Sequence, residues 1–218
     1  MTWWIILVTS FASILALVLG YFYPNIWDFI ALKPVDIASG KYLWTLVTHI
    51  FFHGGIAHLF VNMFALFSLG GLCERIIGRK RFLWLYILSG VFAGTLSVIL
   101  AVLFGGTEWG ARIFGSPDVM MVGASGALFA VAGLFVILLP KIKFSIIFLP
   151  FFSLPAYIMV PMLLVLMWVA TIAANLPIGN SAHFGGFLVG LGYGLYLRMR
   201  YKRKIEMLDK YFSRLTHG

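Results

Sequence analysis

Long apolar runs, separated by short charged or glycine-rich segments, are the dominant pattern of this chain. The runs cover, approximately, residues 1–22, 56–73, 82–104, 124–139, 156–174 and 182–197. Because a helix of about 20 apolar residues spans the hydrocarbon core of a bilayer, each run predicts a membrane helix. The pattern therefore predicts an all-α membrane protein: a bundle of six transmembrane helices within residues 1–200, followed by a tail at 201–218.

The fourth run is shorter than the others. Its roughly 16 residues would rise about 24 Å as a helix, which is less than the ~30 Å of the hydrocarbon core. A helix of this length does not reach both membrane surfaces. We therefore expect its first residues, at 124–126, to lie below the outer surface.

The segments between the runs differ in length and composition. Residues 24–54 form a long connection, for which we predict part-helical structure in the outer interface. Residues 140–155 are predicted as an apolar, proline-rich connection, and 175–181 as a short polar loop that caps the outer side. In the tail, apolar side chains recur at helical spacing and indicate an amphipathic helix along the inner leaflet. They are Ile205, Leu208, Phe212 and Leu215.

Basic residues are concentrated on one side of the predicted membrane, although only 11% of the chain is charged and 62% is hydrophobic. Most of them lie in the 74–81 turn, the 140–143 segment and the tail, whereas the opposite side holds three. By the positive-inside rule, both termini are predicted to be cytoplasmic in a multi-pass protein of the cell (plasma) membrane. The net charge of +9 is thus a topology signal. No nucleic-acid partner is expected, because there is no soluble basic face.

Polar residues at membrane depth are costly, so each one is a candidate functional group. His58 and Asn62 lie four residues apart and share one face of the second helix. They could form an interhelical hydrogen bond only, or they could donate hydrogen bonds to a reacting group. His49 and His53 are placed near the interface. We expect no metal and no cofactor, because no carboxylate or thiol completes a metal site with these histidines.

Ser125 begins the fourth helix, where backbone N–H groups have no intrahelical partner and the helix dipole is positive. Gly123 and Gly126 leave room beside it for another backbone. A serine in a membrane helix often only packs, or bonds to a carbonyl of its own helix. That alternative stays open for Ser125 taken alone.

His183 begins the sixth helix, at the depth that matches Ser125. Small residues follow His183 at helical spacing, and the fourth helix carries a matching small-residue face. They are Gly186, Gly190 and Gly194 on the sixth helix, and Gly126, Ala130 and Gly133 on the fourth. Packing of the two faces would place His183 opposite Ser125.

Ser125 and His183 in contact would form a serine–histidine dyad without an acidic third member. His183 would accept the Ser125 proton and later protonate a leaving amine. Phe129, one turn after Ser125, could stack on the imidazole and hold it. The backbone N–H of Ser125 would stabilise the oxyanion together with His58 and Asn62.

Three motifs together resemble the rhomboid family of intramembrane serine proteases. They are His53-Gly-Gly-Ile-Ala-His58-Leu-Phe-Val-Asn62, Gly123-Ala-Ser125-Gly126 and Ala182-His183-Phe-Gly-Gly186. The resemblance covers nearly the whole chain and implies a six-helix bundle with a water-filled cavity that opens outward. It also implies cleavage of single-span membrane proteins in or near their transmembrane segment. It assigns the nucleophile to Ser125, the base to His183 and the oxyanion donors to the His58–Asn62 pair.

Two positions depart from the family pattern: Thr45 stands where an arginine is frequent, and Phe129 where a tyrosine is frequent. Neither belongs to the dyad, so the resemblance still implies an active protease, with substrate access between the second and fifth helices. Two other functions remain open. A non-proteolytic relative would bind membrane helices without cutting them, and a transporter or channel would use the polar residues as a path.

Overall fold

The structure, a computed structural model, describes residues 1–146, 149–174 and 178–217. In chain order the helices are α1 (Thr2–Phe22), α2 (Ile26–Ile30), α3 (Pro34–Ala38), α4 (Thr45–Thr48), α5 (Ile56–Ala65), α6 (Gly71–Ile77), α7 (Arg79–Phe104), α8 (Glu108–Phe114), α9 (Ser125–Leu138), α10 (Ala156–Ala174), α11 (Asn180–Arg200) and α12 (Lys202–His217). A 3-10 turn at His49–Phe51 follows α4, and a π-helical segment at Leu66–Gly70 joins α5 to α6.

Within the part of the chain that the structure describes, four helical stretches are long and apolar enough to cross a membrane: Thr2–Phe22, Ile56–Ile77, Arg79–Phe104 and Ala156–Ala174. α9 is also apolar but shorter, as its run of residues predicted. α11 has the length of a membrane helix, but glycines and polar residues take up one of its faces, which is buried inside the protein. The predicted helical membrane bundle is therefore confirmed, and two of its helices are built to face other helices.

α9 lies at the centre of the bundle. Its buried residues occur on every side of the helix, so protein surrounds it almost completely. A helix that is apolar all round is expected in such a position, because no face of it meets water. The largest buried cluster of the protein includes α9 side chains such as Val131 and Phe135, together with Phe82 and Tyr86 of α7. The start of α9 is thereby held in the interior.

α9 and α11 pack along the small-residue faces that the sequence predicted. A Cβ atom on Gly186 would overlap the carbonyl oxygen of Gly126, and one on Gly190 would overlap that of Ala130. On the opposing helix, a Cβ on Gly133 would lie 2.6 Å from the carbonyl oxygen of Phe187. The two backbones are therefore in direct contact, which is the arrangement that such residues allow in membrane bundles.

The connection between α9 and α10 differs from the prediction. It contains a hairpin of two antiparallel strands, β1 (Lys143–Ile146) and β2 (Leu149–Pro155), which pairs Lys143 with Pro155. The Phe144 ring meets Phe135 of α9 edge-on, with ring centroids 6.0 Å apart. Packing of Phe144 against the apolar surface of α9 favours a strand here, where the proline content of the sequence indicated an irregular connection.

The start of α11 also differs from the prediction. α11 begins at Asn180, so the last two residues of the predicted polar loop 175–181 are helical. The side-chain amide of Asn180 donates to Thr171 Oγ1 of α10 at 2.8 Å, which fixes this early start. Residues 175–177 of the predicted capping loop lie outside the described residues.

The tail forms the expected helix, but its apolar face meets protein. Ile205 of α12 is buried, and Leu208 packs against the same cluster as the core of the bundle. The amphipathic pattern is therefore satisfied at least partly by the end of the bundle, where lipid was expected.

Glu74, in α6, anchors the start of α1. The Glu74 carboxylate accepts hydrogen bonds from the backbone N–H and the hydroxyl of Thr2, both at 2.7 Å. Arg79 Nε lies 3.4 Å from the same carboxylate. A carboxylate at the N-terminus of a helix is stabilising because it meets free N–H groups and the positive end of the dipole. Glu74 thus links α1, α6 and the start of α7.

Candidate active site

Ser125 and His183 are in direct contact. The Nε2 atom of His183 lies 2.8 Å from the Ser125 hydroxyl oxygen, although 58 residues separate them in the chain. Each residue lies in the first turn of its helix, and His183 is 6% exposed. The packing of α9 against α11 brings the two helix starts to one level. This is the arrangement from which the sequence predicted that the two residues would meet.

The ring of His183 is held by stacking. Phe129, one turn along α9 from Ser125, lies at 4.7 Å between ring centroids with an interplanar angle of 29°. The Nδ1 atom of His183 has no hydrogen-bond partner among the described residues. With the serine hydroxyl donating to Nε2, Nδ1 carries the ring proton. Aromatic packing therefore takes the place that a carboxylate holds in a triad.

The chain enters α9 through a glycine that no other residue could replace without strain. Gly123 has a φ of +131°, a region that side chains with a Cβ rarely adopt. A Cβ there would also lie 2.9 Å from the ring carbon Cε1 of His58. The histidine ring and the turn before Ser125 are consequently in contact, which brings the His53–Asn62 motif to the serine.

His58 and Asn62 lie beside this turn, but in different environments. His58 is an exposed residue whose ring contacts His53 and the Gly123 turn, whereas Asn62 is 4% exposed. The Asn62 side-chain amide donates to the backbone carbonyl of His58 at 2.9 Å, and its Oδ1 atom has no partner among the described residues. The sequence left open an interhelical hydrogen bond for His58 and Asn62, but the bond observed in the structure lies within one helix. The second N–H of the Asn62 amide remains available.

The prediction that His49 and His53 lie near the membrane interface stays a prediction, but the structure shows that neither residue is open to solvent. His53 is completely buried and His49 is 6% exposed. His49 Nδ1 bonds to the backbone carbonyl of Thr45 at 2.7 Å, and His53 bonds to Ser13 and to the backbone of Ala124. Burial and, to a smaller extent, the neighbouring His58 lower the pKa of His53 to about 3, so the ring is neutral at physiological pH. In the sequence, these histidines precede His58 at intervals of four and five residues, and this clustering was the available signal of a shared site.

Other features that could supply chemistry are few. Among the residues that the structure describes, no group of three or more His, Cys, Asp or Glu side chains is placed to hold a metal ion. Cys73 is fully buried in the main cluster of apolar side chains. The polar residues near Ser125 are therefore the candidate site of this molecule.

The chain is similar to known proteins over most of its length. A sequence model described as Rhomboid domain matches residues 40–200. The "RHOMBOID-like protein 5" of Arabidopsis thaliana is 30% identical over 187 residues, which cover 85% of this chain and 54% of that protein. The "Presenilin-associated rhomboid-like protein A, mitochondrial" of Danio rerio is 29% identical over 177 residues, covering 79% of this chain and 42% of that protein.

A bacterial relative matches a shorter stretch. The "Putative rhomboid protease YdcA" of Bacillus subtilis (strain 168) is 31% identical over 101 residues, which cover 46% of this chain and 43% of that protein. The chain spans about half the length of the curated relatives it matches. With the Rhomboid domain matched over most of its residues and the three polar motifs meeting at one place in a helical membrane bundle, this chain belongs to the rhomboid family.

Proposed function

We propose that this protein is a serine endopeptidase that works inside the membrane and cleaves single-span membrane proteins in or near their transmembrane segment. The observation that supports it most directly is the 2.8 Å contact between His183 Nε2 and Ser125 Oγ in a largely buried setting. A serine hydroxyl at its normal pKa is a weak nucleophile, and an adjacent imidazole is one of the usual means of activating it.

The reaction divides into two steps. In the first, His183 Nε2 takes the proton of Ser125 as the oxygen attacks the substrate carbonyl, and the resulting imidazolium protonates the leaving amine. An acyl ester on Ser125 and a free amine are then present. In the second step, water loses a proton to His183 and attacks the ester, which releases the carboxylate product and restores the serine.

The oxyanion needs donors that are not already engaged. The backbone N–H of Ser125 lies at the start of α9, where helix N–H groups lack intrahelical partners. The ring of His58, which is an exposed residue, and the second N–H of the Asn62 amide are the side-chain donors of this proposal. Removal of one such donor typically lowers the rate by about 10²–10³-fold. We therefore assign these three groups to the oxyanion site.

The substrate and membrane placement are part of the same proposal. α9 is shorter than the spanning helices, so we infer that Ser125 lies below the membrane surface, which suits a peptide bond close to the membrane. We infer lateral access between α5 and α10, and both termini on the cytoplasmic side of the cell membrane. The basic residues of the 74–81 turn and the tail support that orientation.

Labelling by a fluorophosphonate in detergent tests the proposal. Wild-type protein should be labelled and should cleave a single-span substrate, and Ser125→Ala should do neither while keeping its helical circular dichroism. His183→Ala should also lose labelling, and Asn62→Ala should cleave more slowly. Cleavage retained by pure Ser125→Ala protein would refute the nucleophile. A folded wild-type chain that binds membrane helices without labelling would instead indicate a non-proteolytic relative.

A further inference from the structure

His53 is buried where three parts of the chain meet. Its Nδ1 atom lies 3.1 Å from the hydroxyl oxygen of Ser13 in α1, and its Nε2 atom lies 3.3 Å from the backbone nitrogen of Ala124. Its ring also meets the ring of His58 edge-on, with centroids 4.9 Å apart and an interplanar angle of 69°. In the sequence, Ser13 is 40 residues and Ala124 is 71 residues from His53, so these hydrogen bonds form only in the folded bundle.

The backbone N–H of Ala124 determines the directions of these hydrogen bonds. A backbone N–H can only donate, so His53 Nε2 accepts from Ala124 and carries no proton. The neutral ring then has its proton on Nδ1 and donates it to Ser13 Oγ. The Ser13 hydroxyl in turn donates to the backbone carbonyl of Phe51 at 3.1 Å. Every polar atom of this chain of bonds is thus satisfied in a single arrangement.

The peptide that His53 holds immediately precedes Ser125. The N–H of Gly123 donates to the carbonyl of His49 at 2.9 Å, so the 49–53 segment fixes two successive peptides before α9. Ala124 is itself completely buried. The direction in which the chain enters α9, and hence the position of Ser125 Oγ, depends on these two bonds.

We propose that His53 is a positioning residue: its ring holds the Ala124 peptide so that Ser125 Oγ stays within reach of His183 Nε2. This inference rests on the proposed function, because the position of Ser125 matters for catalysis only if Ser125 is the nucleophile. His53 does not donate to the oxyanion, since its Nε2 atom already accepts a hydrogen bond and its Nδ1–H is directed to Ser13. Through its edge contact it also holds the ring of His58.

Two substitutions separate the hydrogen bond from the volume of the ring. His53→Phe keeps an aromatic ring against His58 but has no acceptor for the Ala124 N–H. His53→Gln places a carbonyl oxygen near the position of Nε2 and retains an acceptor. Ser13→Ala removes the partner of Nδ1, and the exposed Ser68, whose hydroxyl bonds within its own helix, gives the matched control Ser68→Ala.

The measurement is kcat and KM for a single-span substrate in liposomes, per active site titrated with a fluorophosphonate. His53→Phe should lower kcat by about 10²-fold with KM changed less than about 3-fold, because misplacement of a reacting group by about 1 Å has that effect. His53→Gln should recover to within about 10-fold of wild type. Ser13→Ala should lie between them, and Ser68→Ala should match wild type. A merely structural role would reduce the number of titrated sites and leave kcat per site unchanged.

A second measurement needs no activity. The ¹⁵N NMR signals of the His53 ring in micelles, assigned with His53→Phe, should show an unprotonated Nε2 and a protonated Nδ1. The opposite tautomer, a wild-type kcat in His53→Phe, or a kcat in folded His53→Gln as low as in His53→Phe would each overturn the positioning role. Cleavage by Ser125→Ala would refute the proposed function instead, and the tautomer result would still decide whether His53 holds the Ala124 peptide.

Discussion

Gly186 of α11 lies so close to Gly126 of α9 that a Cβ atom on Gly186 would overlap the carbonyl oxygen of Gly126. The contact occurs one residue after Ser125 and three residues after His183. The separation of the two helix starts, and therefore of the hydroxyl and the imidazole, is determined at this point.

Gly186→Ala should separate the two helices and weaken the Ser125–His183 contact. We expect the rate of fluorophosphonate labelling to fall about 10²-fold and the free energy of unfolding to fall by about 1–3 kcal/mol. The matched control is Gly192→Ala in the same helix, where a Cβ would meet nothing within 4 Å. Labelling of Gly186→Ala at the wild-type rate would contradict the importance of this contact.

Gly123→Ala should reduce activity for a different reason. A residue with a Cβ at a φ of +131° is strained by about 1–3 kcal/mol, and the new Cβ would displace the His58 ring. We expect cleavage to fall about 10²-fold, through loss of an oxyanion donor, in protein that still folds. Gly55 is extended, with a φ of 179° and open space at its Cβ position, so Gly55→Ala should retain activity. Equal rates in the two variants would show that His58 is not needed.

Glu74→Gln should destabilise the protein without touching the candidate site. The carboxylate accepts two hydrogen bonds from Thr2 and is 15% exposed, and each bond to a charged group contributes about 1.5–3 kcal/mol. We expect the free energy of unfolding, measured by SDS titration and circular dichroism, to fall by about 2 kcal/mol or more. Glu108→Gln removes an exposed pair with Arg112 and should change it by less than about 1 kcal/mol. Similar losses in both variants would contradict the anchoring role of Glu74.

The local patterns that the sequence displays explain which parts of the fold were predictable. The apolar runs predicted the long helices, because lipid and the protein interior both require backbone groups to bond within the helix. The spacing of Gly186 and Gly190 predicted close packing of α11 against α9, because only small residues allow two backbones to touch. Because these two faces were expected to pack together, the proximity of Ser125 and His183 was also predicted from the sequence.

Other features depended on partners that are distant in the sequence. The hairpin of β1 and β2 depends on the surface that α9 offers to Phe144, and no periodicity in 140–155 indicated it. The early start of α11 depends on the bond between Asn180 and Thr171. The burial of His53 could not be predicted from the sequence, because the residues that enclose it belong to α1 and to the turn before α9.

The sequence by itself determined a membrane bundle, the pairing of two glycine-lined helices and the meeting of Ser125 with His183, since each follows from spacing along one or two helices. Tertiary structure alone decided that His53 is buried against Ala124, that Asn62 bonds to the carbonyl of its own helix, and that the tail covers the end of the bundle. The physical reason is that a polar side chain takes whichever partner the folded backbone brings within about 3 Å, and spacing in the sequence does not specify that partner.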